Sequence, residues 1–85
     1  MIYNVYAIED LKTTYLSPAL AASHAAAIRD FKLTYAQPGT PLHDFPEDFR
    51  LVLLGTYDNT TGELTPCDLE VIFDGKNLKV VEDAR

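Results

Sequence analysis

The sequence predicts a single α+β domain, in which a mainly antiparallel sheet of β-β-α-β-β-β order carries one helix on one face. Strand-like apolar patterns occur over residues 1–8 and 48–57. Between them, the alanine-rich segment 24–37 repeats its apolar residues at the spacing of a helix. Eighty-five residues provide one hydrophobic core, so we expect one domain, 1–85, with a frayed tail over 82–85.

The first two predicted strands cover 1–8 and 15–21. Both sides of the first strand are largely apolar, with Ile2, Tyr6 and Ile8 on one side and Tyr3, Val5 and Ala7 on the other. Such a strand is expected either at the centre of a sheet or covered on both of its faces. A polar connection over 9–14 follows it. Pro18 confines the second strand to an edge or a bulge, because proline has no amide hydrogen to donate.

The predicted helix covers 24–37. Ser23 is a good N-cap, because its hydroxyl can accept a hydrogen bond from a free amide of the first turn. Pro38 and Gly39 end the helix. Three apolar residues form a stripe that we expect to pack on the sheet: Ile28, Phe31 and Tyr35.

Two hairpins are expected in the C-terminal half. After a proline-containing loop over 40–47, their strands cover 48–57, 63–67, 69–73 and 78–81. The uninterrupted apolar run 51–54 is typical of a strand that is buried on both faces. Gly62 and the pair Asp74-Gly75 supply the turn residues.

One helix can cover only one face of this sheet. The other face retains aliphatic and aromatic side chains, and a chain of this length has no further segment to cover it. Exposed apolar patches usually mark interaction surfaces. We therefore expect either a homo-oligomer, with a dimer favoured, or a ligand on that face.

The charge balance limits the possible partners. Thirteen acidic residues against seven basic ones give a net charge of −6. Nucleic-acid binding depends mainly on Lys and Arg, so DNA binding here requires either cations gathered on one face or stacking on aromatic rings. The chain has no apolar run near the ~20 residues of a membrane span, no signal-peptide pattern and one cysteine, which together predict the cytoplasm and no membrane partner.

No catalytic, cofactor or metal site is predicted, and we expect the protein not to be an enzyme. Cys67, His24 and His43 lack a spacing that would orient a nucleophile and a base. A lone cysteine is most often a small apolar residue. Segment 58–63 is only superficially similar to a calcium loop, because it lacks the distal bidentate glutamate.

Binding residues are easier to nominate. Arg29 and Lys32 are three apart on one helix face, and Arg50 enters the following strand. If these three cations face the same way, they form a positive patch on an acidic body. Exposed tyrosines can stack on bases, at ~1–3 kcal/mol each, although for any single tyrosine packing in the core is the favoured interpretation. The candidate nucleic-acid-binding residues are Arg29, Lys32, Arg50, Tyr3, Tyr6 and Tyr57.

An ordered set of short segments resembles the small nonstructural protein of gokushoviruses, the single-stranded DNA phages of the family Microviridae. The segments are YNVYAIED at 3–10, AIRDF at 27–31, FPEDFRL at 45–51, LGTYD at 54–58 and TGEL at 61–64. No single segment is specific, but their order and gaps are similar over 1–67. From Asp68 onward nothing corresponds, and that part is expected to be an addition of this chain.

The resemblance implies a DNA-binding or DNA-synthesis protein of the host bacterial cytoplasm, without catalytic activity. Such a protein supports the switch from double-stranded intermediates to single-stranded genomes for packaging. Two hypotheses follow. The protein binds single-stranded DNA directly, or it is an acidic adaptor that regulates the phage replication initiator or a host replication protein without DNA contact. Cations gathered on one face favour the first hypothesis, and an apolar groove without cations favours the second.

Overall fold

Residues 1–78 are the part of the chain that the computed structural model describes, and they form the predicted α+β fold. The strands are β1 (Ile2–Asp10), β2 (Ala19–Ala21), β3 (Phe49–Asp58) and β4 (Glu63–Asp74); the helices are α1 (His24–Tyr35), the short α2 (Pro41–Asp44) and a 3₁₀ turn (Pro46–Asp48). The strands form one antiparallel sheet in the order β2-β1-β3-β4. Within these residues, no helix is long and apolar enough to cross a membrane.

The first strand is central, as its two apolar sides predicted. β1 lies between β2 and β3. Its pairing with β3 shifts register: Val5 is opposite Gly55, whereas Tyr6 is opposite Leu53. β3 therefore has one extra residue, Leu54, at this point. A bulge of this kind bends a strand and increases its twist.

The helix packs on the sheet through the predicted stripe. The Ser23 hydroxyl accepts a hydrogen bond from the amide of Ala26 at 3.1 Å, which confirms the N-cap. Phe31 is 2 % exposed, and Ile28 and Tyr35 pack beside it with part of their surface accessible. The helix ends at Tyr35, slightly before the expected end, and the chain turns at 36–40.

The segment predicted as a loop over 40–47 contains two helical turns. Thr40 caps the first turn, its hydroxyl accepting from the amide of His43 at 3.2 Å. Pro41 and Pro46 lie at the starts of the two turns, where a missing amide hydrogen costs nothing. Leu42 is buried in the core cluster. The turns therefore extend the layer of α1 over the sheet.

The two strands predicted over 63–67 and 69–73 are one strand, β4, so within residues 1–78 two strands follow α1 where three were predicted. Both predicted segments pair with β3, and the register shifts between Leu51 and Val52 and between Leu53 and Gly55. The extra residues are absorbed as irregularities in the ladder. The chain does not reverse direction at Asp68, because both segments have the same partner strand.

The second predicted hairpin turn, at Asp74-Gly75, is also wrong. Residues 76–78 are helical, and Leu78 is buried in the core. Gly75 serves a different purpose, since a Cβ there would overlap the backbone carbonyl oxygens of Pro46 and Phe49. The rest of the strand predicted over 78–81, and the tail 82–85, lie outside the described residues.

Candidate nucleic-acid and partner surfaces

The two helical cations share one exposed surface of α1. We call it the α1 groove; its lining residues are Ala25, Ile28, Arg29, Lys32 and Leu33. The Arg29 side chain is 72 % exposed, and its Nε lies 3.9 Å from the Asp30 carboxylate. The Lys32 ammonium is 5.3 Å from the centre of the Phe73 ring, which directs it towards β4. The groove thus combines two positive charges with exposed apolar side chains.

Arg50 does not join these cations. Its Nε donates a hydrogen bond to the Glu9 carboxylate at 2.6 Å. That hydrogen bond, helped by the negative charges of Glu9 and Asp74 and opposed by desolvation, raises the pKa of the Arg50 guanidinium above its ordinary value. Arg50 alternates along β3 with Leu51, which packs in the core beneath α1, so Arg50 faces the other way. The candidate positive patch is reduced to Arg29 and Lys32.

The candidate tyrosines divide between the core and the surface. Tyr6 is 3 % exposed; its hydroxyl oxygen accepts from the Asn4 amide at 2.9 Å and lies 2.5 Å from Nδ1 of His24. Tyr6 therefore cannot stack on a base without leaving the core. Tyr3 and Tyr57 are half-buried and lie directly opposite each other in β1 and β3.

His24 has a partner that the sequence did not reveal. Asn4 already donates to the Tyr6 hydroxyl oxygen, so the Tyr6 hydroxyl can donate its own hydrogen to the His24 ring. This contact ties the start of α1 to β1. The sequence showed only a surface histidine at a helix start, because the contact joins residues 18 positions apart.

The sheet face opposite α1, here the outer face, carries three rows of uncharged residues. Cross-strand pairing and strand alternation assign these rows as Leu20, Val5, Gly55 and Pro66; Tyr3, Tyr57 and Leu64; and Ala7, Val52 and Val71. Part of the face forms a groove of about 390 Å³, whose lining includes Val5, Leu20, Tyr57 and Leu64 and no charged side chain. Beyond the row of Ala7, the same face continues into a charged row of Glu9, Arg50 and Asp74. The outer face is therefore an apolar surface over three rows, bordered at one end by this charged row.

The distal part of the β3–β4 hairpin is acidic and uncovered. Every residue over 59–71, here the hairpin arm, is exposed. The sequence 51–75 contains no Lys or Arg, and its five acidic residues are Asp58, Glu63, Asp68, Glu70 and Asp74. Three of these carboxylates, those of Glu63, Asp68 and Glu70, lie in the arm, and their negative charge repels phosphate groups. Nucleic acid is therefore disfavoured along this arm.

In the turn that begins the arm, several polar groups form hydrogen bonds with one another or with the N-terminus. The backbone amide of Thr60 donates to the Asp58 carboxylate at 2.9 Å, and this hydrogen bond, together with the nearby N-terminal ammonium, lowers the pKa of Asp58. The N-terminal ammonium also donates to Asn59 and Thr60. Across the described part of the chain, no three His, Cys, Asp or Glu side chains are placed to hold a metal ion.

A small cleft of about 150 Å³ lies between α1 and the β1–β2 edge of the sheet. Small side chains, including Ala19, Ala21 and Ala27, leave this space beside Phe31. The cleft is smaller than the roughly 300–1,000 Å³ of typical ligand pockets. It is therefore a packing gap at the sheet edge.

The Phage ORF5 protein family matches residues 3–78. The chain belongs to this family. The match confirms the predicted relation to bacteriophage proteins. It also extends beyond the resemblance over 1–67, so the part from Asp68 to Leu78 is not an addition of this chain. Comparison with curated proteins gives no match, and comparison with solved structures gives none.

Proposed function

We propose that this phage protein is a nonstructural, non-catalytic protein of the gokushovirus type that binds single-stranded DNA in the bacterial cytoplasm. Its role would be to support the switch to single-stranded genome synthesis and packaging. The proposal draws on membership of a phage family and on the resemblance to gokushovirus proteins. The observation that carries it is the α1 groove, where Arg29 and Lys32 are exposed together.

The groove favours weak, electrostatic contact with the DNA backbone. Two cations can neutralise two phosphates, and each phosphate contact to a single strand contributes about −0.7 to the log–log salt slope. We therefore expect a slope of about −1.4, shallower than the −2.1 or so that a three-cation patch including Arg50 would give. Exposed Leu33 and Ala25 offer apolar contact beside the charges.

Single strands suit this arrangement better than duplexes. The hairpin arm and the acidic residues elsewhere repel a rigid rod of phosphates, whereas a flexible strand can approach the α1 groove alone. Tyr3 and Tyr57 are on the outer face, on the other side of the sheet from α1. A short strand held at the groove therefore does not reach them, and base stacking there is not part of the primary contact.

The test is a titration of labelled single- and double-stranded oligonucleotides at two salt concentrations. The double variant Arg29→Glu/Lys32→Glu should lose binding by at least about tenfold, because phosphate contacts supply the affinity. Lys12→Glu/Lys76→Glu is the matched control, since it reverses two exposed lysines elsewhere and should bind like the parent. Equal losses of DNA affinity in the two double variants would show an effect of the overall charge and not of a specific site.

Folding of the variants is checked by thermal melting. Lys32→Glu removes a cation–π contact with Phe73, which at an exposed position is worth about 0.5–1 kcal/mol. A small decrease in melting temperature is therefore expected for the first pair. A variant that remains folded at the assay temperature but no longer binds identifies the groove as the contact site.

A second function, the acidic adaptor, is favoured by the outer face and the hairpin arm. The outer-face groove has no cation, and the arm adds only negative charge. Both features suit a protein partner, such as the phage replication initiator or a host replication protein, better than they suit DNA. If the parent protein binds no oligonucleotide even at low salt, the adaptor function replaces the first proposal.

A further inference from the structure

We propose that the outer face is the interface of a two-fold dimer of this chain. Its exposed members are large apolar side chains: Leu20 is 48 %, Val71 is 43 % and Leu64 is 67 % exposed. They surround Val5 and Val52, which are buried. Water would leave these side chains when a second apolar surface covers them, which is the main driving force of association.

The distribution of charge favours a second copy of this chain as the partner that covers the outer face. Two chains of net charge −6 repel each other on most approaches. In the hairpin, however, Asp58, Glu63 and Glu70 belong to cross-strand rows that lie between the three uncharged rows. Because successive rows of a sheet point to opposite faces, these three side chains point to the α1 side. Contact between two outer faces keeps these carboxylates apart. The charged row of that face, Glu9, Arg50 and Asp74, lies at one end of the three uncharged rows and contains its own ion pair. A two-fold arrangement also needs only one patch, used by both copies.

Other occupants fit this surface less well. Nucleic acid would meet Tyr3 and Tyr57, but Arg50 in the charged row lies between Glu9 and Asp74 and is hydrogen-bonded to Glu9, so it offers no free positive charge. A strongly basic partner would find no carboxylate among the three rows. An uncharged apolar partner surface is required, and the chain itself has one.

The dimer is face to face and not edge to edge. Within residues 1–78 the sheet has two edge strands, β2 and β4, and β2 is only three residues long, so β4 is the longer edge. Two β4 edges would bring acidic residues of both copies together, and Pro66 has no amide hydrogen to offer a neighbouring strand. The register shifts of β4 also make its edge irregular. Such features are known to protect sheet edges from pairing.

In the dimer, both α1 grooves would remain exposed to solvent, on opposite surfaces of the assembly, because α1 lies on the side of the sheet that faces away from the interface. Two weak sites that bind the same strand gain affinity from the effective concentration of the second site. A strand long enough to reach both grooves should therefore bind more tightly than a short one. This consequence, unlike the dimer itself, rests on the proposed DNA binding.

Sedimentation velocity across micromolar concentrations tests the dimer without DNA. The parent should sediment at twice the 9.5 kDa of one chain. Leu64→Glu should sediment as a monomer, because it buries a charge in the interface. Thr65→Glu is the matched control: it adds the same charge one residue along, at an exposed position that faces the α1 side, and should remain a dimer.

Three results would overturn the interface: a monomeric parent at about 100 µM, dissociation by Thr65→Glu as strong as by Leu64→Glu, or a Leu64→Glu variant that remains dimeric. Melting curves confirm that both variants are folded.

Oligonucleotides of about 8 and 40 nucleotides then separate the two proposals. The parent should bind the long strand with about tenfold or more higher affinity than Leu64→Glu does, and the two proteins should bind the short strand equally. If neither protein binds either oligonucleotide, the DNA function is overturned and the dimer is unaffected.

Discussion

The part of the sheet beneath the helices and the hairpin arm differ in almost every physical property. Where α1 packs on the sheet, Phe31 of the helix is 2 % exposed and Leu51 of β3 is 4 % exposed. In the arm, every residue over 59–71 is exposed, although the β4 residues of the arm pair with β3. Backbone pairing alone therefore does not bury side chains. In this small domain, the covered part provides stability, and the uncovered part is available as a surface.

The largest expected effect is the contrast between Phe31 and Leu64. Phe31→Ala removes the largest fully buried side chain and should lower the free energy of unfolding by about 3–5 kcal/mol. Leu64→Ala, in the arm, should change the stability of a single chain by no more than about 0.5 kcal/mol. Denaturant unfolding at low protein concentration measures both. Similar losses in the two variants would mean that the arm contributes to the core.

A smaller effect is expected from removing one hydroxyl. Tyr6→Phe leaves the ring in place but breaks the contacts with Asn4 and His24, so a loss of about 1 kcal/mol is expected. Tyr57→Phe is the matched control on the outer face, since the Tyr57 hydroxyl is not part of a buried hydrogen-bond network within residues 1–78. The same unfolding experiment compares them. Equal stabilities for the two variants would show that the network at the start of α1 adds nothing.

The smallest effect concerns the turn of the arm. The pKa of Asp58 is lowered, chiefly by the amide of Thr60, so the folded state prefers the charged carboxylate. Its contribution to stability is therefore present above the ordinary aspartate pKa of about 4 and is lost as the pH falls through the lower folded value. An NMR titration should therefore give Asp58 a pKa below the ordinary aspartate value. Asp58→Asn should remove this part of the acid sensitivity, and an ordinary Asp58 titration would contradict the prediction.

The local features of this protein were predictable from its sequence. The N-cap at Ser23, the stripe through Phe31, the central position of β1 and the turn before Gly62 all follow from interactions within a few residues or from the periodicity of one segment. The acidic, cation-free stretch 51–75 is also visible in the sequence. These features define the α+β class, because helix period, strand period and turn chemistry are local properties of the chain.

Only the tertiary structure decided how the segments combine. The continuity of β4 depends on β3, which accepts both predicted strands with shifts of register that no local pattern encodes. Gly75 is needed because two carbonyl groups distant in sequence approach it. Arg50 was assigned to a patch with Arg29 and Lys32, but alternation relative to Leu51 turns it to the opposite face, where it binds Glu9. Each of these outcomes depends on contacts with a segment that is distant in sequence. Which face of a strand becomes buried is fixed only when its partner strand and their register are known.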